Sequence, residues 1–391
     1  MLTTEKKRFV TLGVLGGAIA LAVAVAGTSP RAAASDRVPT DASEVLETLA
    51  TRAGEGADPR SREVSELRRA LALDPRNLRA ALRLARLDIQ LGRERSDPRY
   101  LGQAQAALQP WWTESAPPPV LVLRATIEQS IHDFDAALRH LDLALAAAPD
   151  DVQAWLTRAV ILTVRARYDE ARASCGHVAS SPLAFVVCAS QIDSLTGHAR
   201  EAHERLASVM GQEAVSRDEQ EWALSSLGEY AARFGDVPLA ERHFREALAI
   251  APEDAYVRGA LADLLIDASR PGEAIELLRG READDGMLLR LAIAGKDADH
   301  AKMLASRFDA SRARGDAVHR REEARFALLL GERERALTLA RANWDVQKEP
   351  WDVRVLLAAA IAAAEAAPAL EHLERTKLED PAIRTLAARL K

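Results

Sequence analysis

From about residue 61 to the C-terminal end, apolar residues fall in short amphipathic runs of helical length separated by tight polar turns. The runs pair into hairpins, and the hairpins repeat. VLVLRATIEQSIHDFDAALRHLDLALAAAPDD ends at Asp151, VQAWLTRAVILTVRARYDEARASC follows directly, and EWALSSLGEYAARFGDVPLAERHFREALAIAPED spans Glu221 to Asp254. An alanine recurs just after each turn, at Ala137, Ala171, Ala202, Ala240, Ala274 and Ala336. Ala137 to Ala171 is 34 residues and Ala240 to Ala274 is again 34, with spacings of 31 and 38 between them. A fixed period with drifting loops predicts an array of stacked hairpins, each burying its apolar face against its neighbours.

The segment Leu224–Pro252 carries the pattern most fully. Gly228 and Ala240 are small enough to let two helices approach closely, while Leu224, Leu227 and Phe244 fill the space around them. Pro252 cannot continue a helix and, with Glu253 and Asp254, both ends one unit and starts the next. Pro75 and Pro149 mark the same junction elsewhere. On these residues the chain resembles the tetratricopeptide repeat family. Only the large residue late in the first helix is missing, where Ala231 stands with Tyr230 one place early.

The resemblance implies an all-α, right-handed solenoid of antiparallel helix hairpins, with about eight to nine units over residues 61–391. The clearest units lie at 118–182 and 221–279. Ser61–Asn77 reads as the second half of a first unit, and Leu78–Gly92 pairs with Pro98–Gln109 across an insertion at 93–97. Asp284–Arg314 is the least regular stretch, and Pro381–Leu390 reads as a capping helix.

Members of the family usually bind peptides or protein segments on the concave face formed by the first helices. By resemblance, the positions facing that groove are Val122 and Thr126; Leu156 and Val160; Val187 and Gln191; Trp222, Ser225 and Glu229; and Tyr256 and Asp263. Some of these positions would instead contact neighbouring helices. A subclass grips acidic C-termini with a clamp of Lys, Asn and Arg. Here Val122, Leu156, Val187 and Ser225 stand where Lys is wanted, and Thr126, Val160, Gln191 and Glu229 where Asn is wanted. The clamp is absent. An apolar middle and a mildly acidic end predict an extended or helical apolar segment as ligand. The groove could equally be filled from within, in a self-associating structural module.

The N-terminus has a different pattern. Lys6, Lys7 and Arg8 precede the uncharged stretch Phe9–Ala26, whose eighteen residues lie between a signal-peptide core and a full membrane span. Residues 1–26 are therefore expected to be a signal peptide or a signal-anchor helix, with the length leaning towards the anchor. Residues 27–60 read as a linker holding one short helical run, Ala42–Arg52. The basic cluster should remain cytoplasmic, placing the body in the periplasm, tethered to the inner membrane or released after cleavage.

Composition narrows the function further. The 391 residues are 48% hydrophobic yet only 4% aromatic, a bias that suits close-packed helices and argues against sandwich, barrel and parallel-sheet folds. A net charge of -6 offers no broad attraction to phosphate backbones, so nucleic acid is not an expected partner. None of the nine histidines sits in an HExxH motif, and no GxSxG motif or CxxC pair occurs. Neither metal, cofactor nor catalytic activity is expected. Cys175 and Cys188, the only thiols, fall on consecutive helices across a Pro-containing connection, so they form either a staple between units or two separate buried thiols. Trp111 and Trp112 lie in a proline-rich loop that is expected to fold back on the array. The sequence thus predicts a non-catalytic adaptor of the cell envelope that binds another protein.

Overall fold

The computed structural model describes residues 59–390 apart from 96, 212–214, 314 and 316–318. The expected export helix at 1–26 and the helical run at 42–52 lie outside the described residues. Among the described residues there are twenty α-helices, one 3-10 turn at Gln109–Trp111 and no strand. After α1 (Pro59–Leu73), the helices come in pairs: α2 (Leu78–Arg95) with α3 (Arg99–Leu108), and α4 (Pro118–Ser130) with α5 (Phe134–Ala147). Next are α6 (Val152–Val164) with α7 (Tyr168–Gly176), and α8 (Pro182–Leu195) with α9 (Ala199–Met210). The central pairs are α10 (Arg217–Arg233) with α11 (Val237–Ile250), and α12 (Ala255–Asp267) with α13 (Pro271–Leu278). The array continues as α14 (Asp285–Gly295) with α15 (Ala298–Ala313), and α16 (Arg320–Leu330) with α17 (Arg333–Trp344). It ends with α18 (Pro350–Ala363), α19 (Ala369–Thr376) and α20 (Pro381–Ala388).

The packing makes this an α-solenoid. From α2 to α18 the first helix of every pair touches the first helix of the next, and most second helices pack on the following first helix. The first helices therefore form a continuous inner row. The alanines after the turns occupy the tight points: Ala137, Ala171, Ala202, Ala240, Ala274 and Ala336 are all 0% exposed.

One turn geometry generates the repeat. One or two places past the end of most first helices, a residue adopts the left-handed conformation: His132, Ala166, Gly197, Gly235, Ser269, Gly331 and Ala364 all have φ between 56° and 87°. The next residue then donates its N–H back across the helix end, from Asp133 to Glu128 O at 2.9 Å, Arg167 to Leu162 O at 2.8 Å and Asp236 to Ala231 O at 2.9 Å. This satisfies carbonyls that the helix end would otherwise orphan. Asp133 and Asp236 then cap the second helices, as Asp151, Asp254 and Asp284 cap first helices. These five aspartates beside the junctions are thus helix caps.

The least regular stretch of sequence, 284–314, nevertheless forms the ordinary pair α14–α15. Lys296 supplies the left-handed turn at φ 50°, and the Asp297 carboxylate accepts from the Asp299 N–H at 2.8 Å. The turn chemistry survives there without the family's marker residues. Likewise α2 runs to Arg95, through most of the expected insertion.

The coil also closes on itself. Helix α2 returns against α12. At the other end, the Lys348 N–H donates to Val164 O at 2.8 Å, and the Ala199 N–H donates to the Glu379 carboxylate at 2.8 Å. Leu195 and Tyr168 join the apolar cluster of the last pairs, which includes Trp344, Leu373, Leu378 and Ile383.

Gly228 and Gly331 separate two roles of glycine in the array. A Cβ on Gly228 would lie 2.6 Å from the Phe244 ring, whereas at Gly331 it would meet open space but at φ 75°. Gly228→Ala is expected to cost about 1–3 kcal/mol through overpacking. Gly331→Ala should cost about 1–2 kcal/mol through backbone strain alone. Only the first should be relieved by Phe244→Leu, which denaturant titration of the double variants would reveal.

Candidate functional site

The inner row brings the sequence-predicted groove residues onto one series of helices, but not all of them onto a free surface. Val122 and Thr126 on α4, Val187 on α8, Ser225 on α10 and Asp263 on α12 are buried. Val122 and Val187 belong to apolar clusters shared between neighbouring helices, and the Thr126 hydroxyl donates to its own helix at Val122 O, 2.9 Å. Leu156, Gln191, Trp222 and Glu229 are half-buried. Val160 and Tyr256 remain 48% and 65% exposed. Of these positions, the apolar ones that keep exposed surface are Leu156, Val160, Trp222 and Tyr256.

The acidic end of the row has internal partners. Asp263 accepts from Arg290 on α14 and Arg325 on α16, each at 2.7 Å. Burial alone would raise its pKa, but the two guanidinium groups hold it below the ordinary carboxylate value. Asp267 is paired to Arg354 on α18 through both carboxylate oxygens. Glu229 accepts from Arg233 at 2.6 Å and from the Tyr256 hydroxyl, while burial pushes its carboxyl up. Arg233 also reaches Ser194, tying α10 to α8. The free acidic lining expected from sequence is thus largely spent on arginines. Arg290, Arg325 and Arg354 lie in units whose repeat pattern is weak, and no sequence spacing pairs them with α12.

Two buried carboxyls have no such compensation. Glu221, one place before Trp222, is 4% exposed, and burial together with Asp254 and Asp218 pushes its pKa up to about 7. Asp88 is fully buried, with Arg68 3.5 Å away, and burial lifts it to about 6 despite that guanidinium.

Cys175 and Cys188 are bonded, with Cα atoms 5.7 Å apart, and so link α7 to α8. Trp111 and Trp112 pack against the N-terminal apolar cluster, and the Arg124 guanidinium lies 4.7 Å over the Trp112 ring. A hollow of about 410 Å³ between α5, α6 and α7 is lined by Leu145, Trp155, Arg158 and His177 among others, and the His177 ring stacks on Trp155 at 3.8 Å. Arg158 there is already engaged by Asp142 and Ser174. Among the described residues no group of three or more His, Cys, Asp or Glu is placed to hold a metal ion, and no helix is long and apolar enough to cross a membrane.

Residues 231–288 match the family described as tetratricopeptide repeat. No curated protein matches the chain. Among solved structures, the chain is similar to a Rap protein complexed with competence and sporulation factor, at 15% identity and a TM-score of 0.48, over 72% of this chain and 90% of that one. It is similar to the APC/C hetero-tetramer Cut9–Hcn1 at 16% identity and a TM-score of 0.43, covering 76% of this chain and 52% of that one. The chain thus spans about half the length of that match. A tetratricopeptide repeat protein from Parabacteroides merdae matches at 13% identity and a TM-score of 0.37, over 76% of this chain and 99% of that one.

The burial of Glu221 predicts a pH dependence beside Trp222. Its folded pKa lies above its ordinary 4.5, so the stability it permits is fully present below 4.5 and is lost as pH rises through about 7. Glu221→Gln is expected to raise stability at pH 8 with little effect at pH 4.5. It should also remove a fluorescence transition near neutrality that Trp222→Phe removes as well. Melting curves at the two pH values and a fluorescence titration check both.

Proposed function

This chain carries tetratricopeptide repeats, and we propose that it is a non-catalytic scaffold that binds a segment of another protein in its inner groove. One observation carries the reading: Val160 and Tyr256 stay exposed, and Leu156 and Trp222 half-buried, on first helices that stack into one continuous row. Exposed aromatic and aliphatic side chains on a rigid concave row favour an apolar partner segment, extended or helical. The proximity of Glu229 to Tyr256 adds one acidic acceptor at that surface.

The cellular setting belongs to the same proposal. The apolar stretch Phe9–Ala26 behind a basic cluster supports export with a signal or an inner-membrane anchor. A bond between the only two cysteines suits an oxidising compartment. The partner would then be an envelope protein, held or presented during assembly of an envelope complex.

A second reading has its own support. The pairing of Asp263 with Arg325 and of Asp267 with Arg354 fills the acidic end of the groove from within. A structural module that self-associates through its terminal units would use such a filled groove. Size-exclusion with light scattering separates the two: a monomer favours the scaffold, an obligate oligomer the module.

Leu156→Glu with Val160→Glu is expected to abolish capture of the partner in pull-downs from the native host while leaving the helical signal intact; retained capture would remove the groove reading. A C-terminally tagged chain should fractionate with the envelope, and recovery in the cytosol would remove the export reading.

A further inference from the structure

The last helices do more than continue the array. They fold against the edge where first helices turn into second helices, three to six units earlier. Three contacts of different chemistry define this seam. The Glu379 carboxylate accepts the Ala199 N–H at 2.8 Å, a helix-start donor that the preceding His198 does not cap with its side chain. The Lys348 N–H donates to Val164 O at the end of α6, again at 2.8 Å. Arg354 and Asp267 form a two-point ion pair between α18 and α12, 87 positions apart.

The turns on the receiving side are shaped for this docking. Gly197 has φ 86°, and a Cβ there would lie 2.9 Å from the Lys377 Cβ. A Cβ on Gly235, at φ 87°, would lie 3.1 Å from Pro381 Cγ. Gly331, which has a comparable φ but faces open space, shows that the turn geometry does not itself demand such closeness. At Gly197 and Gly235 the bare backbone therefore serves the turn and the docked segment at once.

Each side of the seam keeps its own core. Leu337, Trp344, Leu356, Leu357 and Leu373 cluster within the last units, whereas Leu206, Leu227 and Tyr230 cluster within the middle ones. Among the described residues Tyr168 and Leu195 cross from one side and Val346 from the other as sizeable apolar side chains. In a solenoid, where stability sums over units and nearest neighbours, a largely polar long-range seam is a separable layer.

We propose that α16–α20 form a clasp that closes the turn edge of the groove and releases as a body while every unit stays folded. Release exposes the acidic ends of α10 and α12, with Glu229, Asp263 and Asp267, as surface for a partner. That consequence rests on the groove reading above. The release itself does not, because it is measured without a ligand.

The test is hydrogen exchange on the full chain at the Ala199 and Lys348 amides, with amides inside α10 and α11 as internal reference. Arg354→Asp and Gly197→Ala should each speed exchange at both amides by about tenfold or more, with the reference unchanged. Arg354→Asp combined with Asp267→Arg should restore slow exchange. Raising salt from low to about 1 M on the unaltered chain should act in the same direction as the single variants. Unchanged exchange at both amides in the two single variants would overturn the clasp, as would acceleration spread equally over the reference amides. Loss of partner capture in the Leu156 and Val160 variant bears only on the groove reading and leaves these rates untouched.

Discussion

The array depends on one close approach, repeated. Two helices of a pair can nest only if the residue at their crossing is small, and the turn between them can be short only if one residue accepts the left-handed conformation. Gly228 beneath the Phe244 ring and Ala240 at 0% exposure meet the first condition. His132, Ala166, Gly197, Gly235, Ser269, Gly331 and Ala364 meet the second. From that constraint follow the abundance of alanine, the scarcity of aromatic residues and the aspartates that cap helix starts. Because each pair then presents an apolar flank that only another pair can cover, the pairs must stack, and stacking lines up their first helices as an inner row.

The inner row in turn explains why only part of it is open. A chain long enough to coil brings its later units back over its earlier ones. The charges met on the way are paired off: Asp263 with Arg290 and Arg325, Asp267 with Arg354. Val160 and Tyr256 stay exposed, and the half-buried Leu156 and Trp222 keep part of their apolar surface out of the packing. Leftover apolar surface on a rigid framework is a reasonable signature of a binding face, since it costs solubility and contributes nothing to the fold.

The exposure of some first-helix positions could be read from sequence and that of others could not, for a definable reason. Val160 and Tyr256 sit on helices where the repeat is regular, so their exposure follows from their place in the unit. Val122 and Val187 occupy the place that the half-buried Leu156 takes in its unit but are buried in clusters with adjacent helices, because the tightness of the local coil decides whether a facing position is surface or interface. Asp263 shows the same limit in electrostatic form. As a residue it promised free negative charge; in place it is a buried carboxylate held by two arginines, one of them 62 positions away.

The sequence by itself determined the unit: helix, turn, helix, cap, in a rhythm of about 34 residues, because helix propensity, small-residue packing and capping act within a few turns of chain. It also determined that units stack, since none can bury its apolar flank alone. The tertiary structure decided how tightly the stack coils and therefore which units meet. The contacts of Glu379 with Ala199, Lys348 with Val164 and Arg354 with Asp267 join residues 87 to 184 positions apart. No local pattern encodes such pairs, because the small rotation between successive units accumulates along the array, and only its sum brings the last units back against the middle ones.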